Sequence, residues 1–247
     1  MGTTQAVQPA FQVTHESQPS ESVVVGFSSF GLAGLTAANY LTEQLELSET
    51  GHITSEDLPA ITPFDNGTPR HHTRLFSASE SNVTVLANEL FVPAWAADSF
   101  SEAILEWADE NGVEEITILA GAPTPHGPDE HRTFYVATED YQAARLRDTD
   151  LPPMGNGFLE GVNASLVGRG IDSDLRVGVF VTPVHAQVPD VEAALRLIDA
   201  VEAVLDLTVH TGALENFASE VEQYYQGLAN RLEQVDQEQV WEDRMYM

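Results

Sequence analysis

Short, continuously apolar runs that alternate with segments of helical period predict an α/β fold. The expected form is a mostly parallel sheet covered by helices on both faces, with a C-terminal helix that carries a flexible tail. Two observations carry this. Val23, Val24 and Val25, the run 116–120 and the run 175–181 read as strands buried on both faces. Between them, segment 95–110 places apolar residues at i, i+3, i+4 and i+7, segments 31–47 and 191–205 repeat apolar residues at helical spacing, and 158–167 is read as a further helix.

Taken in order, residues 1–20 are rich in Gln, Ser, Thr and Pro without periodicity and are expected to form a loose arm. The valine strand runs into Gly26, and a helix follows with Leu35, Ala38, Leu41 and Leu45 on one face. Shorter strands are expected at 51–55, 71–76 and 82–87, separated by the turn-rich stretch 63–69. Phe100, Ala103, Ile104 and Trp107 define the next helix, and Asn111-Gly112 supplies its stop. A proline-rich loop (Pro123, Pro125, Pro128), a weak strand at 134–137, a turn at 151–157, a helix at 158–167 and the strand 175–181 complete the pattern before the helix at 191–205. One α/β domain over 21–236 and a tail over 237–247 are therefore expected.

The last helical segment differs from the others. Leu214, Ala218, Val221, Tyr225, Leu228, Leu232 and Val235 alternate spacings of 4 and 3, which is a heptad seam. Packing against the 191–205 helix of the same chain is favoured over an intersubunit coiled coil, because Ala218 and Tyr225 are mediocre seam residues.

Charge and composition narrow the chemistry. With 39 Asp plus Glu against 10 Lys plus Arg, the 247-residue chain carries a formal charge of −29, the wrong sign for nucleic acid or an anionic membrane. All ten cations are arginines. An acidic surface without lysine around an ordinary core predicts a halophilic, archaeal source, where molar salt screens repulsion within roughly 3 Å. The missing lysine removes a Walker phosphate loop, a kinase strand lysine and Schiff-base chemistry. The missing cysteine removes thiol nucleophiles, disulfides and thiolate zinc sites. No apolar run approaches the roughly 18 residues of a membrane span, and residues 1–22 lack the pattern of a leader, so a cytoplasmic location is expected.

Three features could hold chemistry. The turn Gly26-Phe27-Ser28-Ser29-Phe30-Gly31-Leu32-Ala33-Gly34 lies where doubly wound proteins seat phosphates, but its spacing is GxxxxGxxG, and a tight turn with close helix-to-strand packing is favoured. The loop Pro125-His126-Gly127-Pro128-Asp129-Glu130-His131 gathers two imidazoles and two carboxylates after a buried strand, without the i, i+4 spacing of a helical zinc site. His71 and His72 would point to opposite faces of a strand and could not ligate one ion from it. No catalytic residue, metal ligand or cofactor site is assigned.

The third feature is the end of the chain, Trp241-Glu242-Asp243-Arg244-Met245-Tyr246-Met247, a hydrophobic-Tyr-X sequence (HbYX). Its physics is carboxylate capture, with Met245 and Tyr246 filling apolar pockets and the Met247 carboxylate meeting donors. A frayed terminus, or local packing of Tyr246 and Trp241, would look the same in sequence.

The Gly26 to Gly34 turn after a valine strand, Gly51-His52-Ile53, the helix ending in Trp107, the strand 116–121, Gly157-Phe158-Leu159-Glu160-Gly161 and Val188-Pro189-Asp190 together resemble the proteasome assembly chaperone (PAC) family in its archaeal form, over roughly residues 22–230. The resemblance implies an α/β sandwich, self-association into a homo-oligomer, no enzymatic activity, and an ATP-independent chaperone or core-particle binder. Met245, Tyr246 and Met247 would dock between α subunits of the proteasome core particle. Two other activities attached to this lineage fail on composition: ATP-grasp chemistry uses lysines, and an iron–sulfur dehydratase uses cysteines. The alternative is a small-molecule enzyme of nucleoside-phosphorylase-like or hydrolase type using the Gly26 to Gly34 turn and the His126/His131 loop.

Overall fold

Three consecutive valines bury completely only if their strand has neighbours on both edges and cover on both faces, and Val23, Val24 and Val25 sit at the centre of an eight-stranded sheet. The structure, a computed structural model, describes residues 11–55, 58, 60–124, 127, 130–185 and 189–218. It divides into two compact units at Val209/His210, inside the 21–236 span.

In chain order the first unit contains β1 (Phe11–His15), β2 (Ser22–Phe27), α1 (Ala33–Gln44), β3 (Ser48–Ser55), β4 (Phe64–Asp65), β5 (Thr68–Pro69), β6 (Thr73–Ser77), β7 (Val83–Asn88) and α2 (Ala97–Glu110). It continues with β8 (Glu115–Ala122), β9 (Phe134–Ala137), α3 (Glu139–Tyr141, extended by a π-helical turn Gln142–Leu146), α4 (Gly161–Ile171), β10 (Arg176–Pro183) and α5 (Val191–Leu205). The sheet order is β1-β3-β6-β7-β2-β8-β10-β9. Parallel pairing joins the central four strands, β7-β2-β8-β10, and antiparallel strands extend the sheet on both sides. Strands β4 and β5 form a separate hairpin.

Helices cover both faces, as the alternation predicted. On one face α1 and α5 pack together over β2, β8 and β10; on the other, α2 and α4 pack together over β1 and β10. The second face carries Val23, Val25, Phe27, Ile116 and Ile118 against Phe100, Ile104, Trp107 and Leu166. The sequence reading of residues 1–20 as a loose arm is corrected in part: residues 11–15 form β1, which pairs antiparallel with β3 from Phe11↔Ser55 to His15↔Gly51. The alternating burial of Phe11-Gln12-Val13-Thr14-His15 explains it, since Phe11 packs edge-on against Phe100 at 5.0 Å and His15 against Trp107 at 5.5 Å.

Helix ends follow the expected chemistry. Asn111 closes α2, its Nδ2 donating to the Trp107 carbonyl at 2.8 Å, and Gly112 supplies the left-handed residue (φ 71°). In the second unit the described residues show a helix over 212–218, with the Thr211 hydroxyl donating to Glu215 at 2.6 Å. The seam residues Val221, Tyr225, Leu228, Leu232 and Val235 lie outside the described residues. No helix among the described residues is long and apolar enough to cross a membrane.

Candidate functional site

Open α/β sheets bind ligands beyond the C-terminal ends of their parallel strands, and the turn from Gly26 to Gly34 occupies that end of β2. Its glycines are accounted for by packing. A side chain at Gly34 would collide with the Leu119 carbonyl, and one at Gly26 with the Gly34 carbonyl and the Ala38 side chain. Helix α1 therefore rests directly on β2 and β8, the close approach that the sequence favoured over a phosphate seat.

The loop after β10 meets this turn. The Asp190 amide donates to the Gly31 carbonyl at 2.8 Å, and Val184 packs where a side chain at Gly31 or Gly121 would lie. Asp190 is the N-cap of α5, its Oδ1 accepting from the Ala193 amide at 2.9 Å. Its Oδ2 accepts from the His185 amide at 2.8 Å and stands 2.9 Å from His185 Nδ1. Burial acts to raise the Asp190 carboxyl, but the two amides, the His185 ring and the nearby Arg196 charge outweigh it and hold it below the usual carboxylate range. Arg196 is half-buried and its guanidinium is lowered by burial; it donates to Thr182 Oγ1 and to the Pro183 carbonyl, each at 2.9 Å.

His131 stands edge-on to His185 with ring centroids 6.1 Å apart. His126 and Asp129 lie outside the described residues, so the structure tests only the His131 end of the expected loop. Among the described residues there is no group of three or more His, Asp or Glu arranged to hold a metal ion. The sequence reading passed over His185, Asp190 and Arg196 as a cluster. Asp190, three residues before Ala193 at the start of an amphipathic helix, carried the signal as an N-cap; the partnership with His185 did not, because it depends on the turn after β10.

His71 and His72 precede β6. The His71 ring stacks flat on His52 at 3.6 Å, and His72 Nδ1 bonds the Thr73 hydroxyl at 2.8 Å. Burial lowers both His52 and His72, with the His71 charge acting in the same direction. The two residues belong to a run before the strand, so the expected placement of both on one strand is corrected. Beside them lies a cavity of about 450 Å³ that also touches Arg70 and Ile61. A second cavity, of about 860 Å³, lies at the opposite end of the sheet among Ser20, Ser22, Ser79, Ser81 and Arg145.

Met245, Tyr246 and Met247 lie outside the described residues, so their assignment as partner-binding groups rests on the sequence.

The fold has close relatives in shape. PbaA of Pyrococcus furiosus, an archaeal homolog of proteasome-assembly chaperone, superimposes with a TM-score of 0.80 at 19% identity, covering 96% of this chain and 100% of that one. PbaB of the same organism, an archaeal proteasome activator, gives 0.75 at 17% identity over 89% and 99%. A protein of unknown function from Thermoplasma acidophilum gives 0.73 at 23% identity over 90% of each chain. No curated protein matches the chain. The model of the PAC2 family matches residues 23–229, nearly the whole of the sheet and its helices, and the chain belongs to the PAC2 family.

Proposed function

We propose that this protein is an ATP-independent proteasome assembly chaperone or core-particle-binding protein that docks its tail into pockets of the proteasome α ring. In this reading Tyr246 and the Met247 carboxylate anchor the tail and Met245 fills an apolar pocket. The observation that carries it is the pairing of a PAC2 domain over residues 23–229 with a hydrophobic-Tyr-X ending. The fold shared with PbaA and PbaB supports the domain half of that pairing. The protein acts without catalysis, as a homo-oligomer, with α subunits as its partners. The acidic residues before the tail (Asp236, Glu238, Glu242, Asp243) would repel an acidic partner, and molar salt would screen that repulsion.

The reading is tested by assembling purified α and β subunits in molar KCl with and without the protein and following core particles on native gels. Faster or fuller assembly with the intact chain, lost with Tyr246→Ala, is expected. Unchanged assembly together with no retention of core particles by the protein would contradict it.

A further inference from the structure

The cavity of about 860 Å³ opens where the parallel strands begin, at the end of the sheet away from the Gly26 to Gly34 turn. Separate segments wall it: residues 17–22 leading into β2, Thr50 of β3, residues in 77–83 between β6 and β7, Arg145 of the π-helical turn, and Leu205-Asp206 at the end of α5. All belong to the first compact unit. Seven of the sixteen described residues that line the cavity carry a hydroxyl group, and Gln18 and Asn82 add carboxamides. Each hydroxyl can donate one hydrogen bond and accept others, so this wall suits groups that do both.

The wall is held in place by its own bonds. Ser20 Oγ donates to the Ser81 carbonyl at 2.9 Å, and the Ser20 amide donates to Thr84 Oγ1 at 2.9 Å. Thr84 Oγ1 lies 3.1 Å from Ser77 Oγ, which accepts from the Thr50 hydroxyl at 3.2 Å. Thr50 Oγ1 in turn stands 3.0 Å from His15 Nε2, so the chain of polar groups runs from β1 to β7. Ser22 differs from these: it lines the cavity, is 5% exposed, and its buried Oγ has no hydrogen-bond partner among the described residues. Its backbone is fixed between Val83 of β7 and Glu115 of β8. Buried hydroxyls nearly always have a partner, and the one that Ser22 lacks within the chain can come from an occupant of the cavity.

Charge narrows the class of occupant. Arg145 is the one cation among the described lining residues, and its Nε already meets both oxygens of the Glu115 carboxylate, at 2.9 and 3.0 Å. Glu21 and Asp206 then leave the lining with an excess of negative charge, which opposes a phosphate or a carboxylate ligand. A neutral molecule with many hydroxyl groups fits both the charge and the wall, with Pro19, Ala78 and Leu205 to meet its C–H faces. The volume lies within the roughly 300–1,000 Å³ of small-molecule sites.

We propose that this cavity binds a neutral polyhydroxylated molecule of the carbohydrate or cyclic polyol class, with the Ser22 hydroxyl among its hydrogen-bond partners. The site is separate from the chain ending, and its occupancy is independent of proteasome docking.

The test is saturation-transfer NMR on the purified full chain in molar KCl, titrated with D-glucose, maltose and myo-inositol, and with inorganic phosphate as the anionic comparison. Ser22→Ala removes the unpartnered hydroxyl, and Ser79→Trp sets an indole at an exposed lining position. Asn82→Trp, also exposed and lining, replaces Ser79→Trp if circular dichroism shows that the latter misfolds. Thr68→Trp, exposed on the β4–β5 hairpin, is the control. Saturable binding of at least one of the three polyhydroxylated compounds is expected, with the dissociation constant raised at least about threefold in Ser22→Ala, binding lost in Ser79→Trp and unchanged in Thr68→Trp. No saturable binding of any of the three, unchanged affinity in either cavity variant, or displacement of the bound compound by phosphate would overturn the proposal.

Discussion

Arg145, on the π-helical turn after α3, reaches the carboxylate of Glu115 at the first residue of β8, with its Nε 2.9 and 3.0 Å from the two oxygens. Glu115 is 1% exposed, and Arg176 Nε approaches its other side at 3.4 Å. One buried carboxylate thus ties α3, β8 and β10 together. The bond to Glu115 also raises the Arg145 guanidinium above its ordinary value, against the effect of burial.

Replacing Glu115 by Ala should therefore destabilise the fold. The expected loss is about 2–3 kcal/mol, below the usual cost of breaking a fully buried pair because both guanidiniums reach solvent. Urea unfolding at fixed salt measures it. A loss under about 0.5 kcal/mol would show that the pair contributes little.

The same ion pair shows where sequence reading ends. Strands β2, β8, β9 and β10 and helices α1, α2 and α5 were legible within a few residues, because continuous apolar runs and a 3.6-residue period are local signals. Strand β1 was not: Phe11 and Val13 look incidental in a Gln- and Thr-rich arm until β3 supplies the edge they pair with. Helix α4 begins at Gly161, three residues later than expected, leaving Phe158 exposed in the preceding loop. The pairing of Glu115 with Arg145, 30 residues away, depends on chain reversals that no periodicity encodes. At the candidate site, Gly26 and Gly34 were legible as packing glycines, whereas the His185–Asp190 contact was not.

Gly34→Ala should be among the most damaging small substitutions. The added methyl group meets the Leu119 carbonyl, a backbone atom that cannot turn aside, so a cost of about 3 kcal/mol or more is expected from thermal or urea unfolding. Gly127→Ala, where the added group meets nothing, is the comparison. Equal stability of the two variants would contradict the close helix-to-strand approach.

Asp190 gives a pH dependence with a definite sign. Its folded-state value lies below its unfolded one, so its stabilisation is present above about pH 4 and is lost as pH falls through that range. Asp190→Asn keeps a capping oxygen but cannot titrate. The unfolding free energy of the wild type should fall more steeply below pH 4 than that of Asp190→Asn; parallel curves would refute the assignment.

His15 acts near neutrality. Its ring lies against Trp107 with Nε2 3.0 Å from the Thr50 hydroxyl, and burial lowers its value. The unfolded chain then binds the proton more readily, so stability falls as pH drops through about 6.5. His52 and His72 are lowered too and add to the slope. Melting temperature followed from pH 7.5 to 5.5 should decline in the wild type and decline less in His15→Gln; an equal decline would remove His15 from the account.

In the proposed function the tail Met245-Tyr246-Met247 binds the partner, and removing it separates tail docking from binding by the domain. Core particles or free α subunits are offered in molar KCl to the immobilised intact protein and to a version ending at Arg244. Retention by the intact chain alone is the predicted result. Equal retention by both would place binding on the domain surface, and retention by neither would contradict the proposed function.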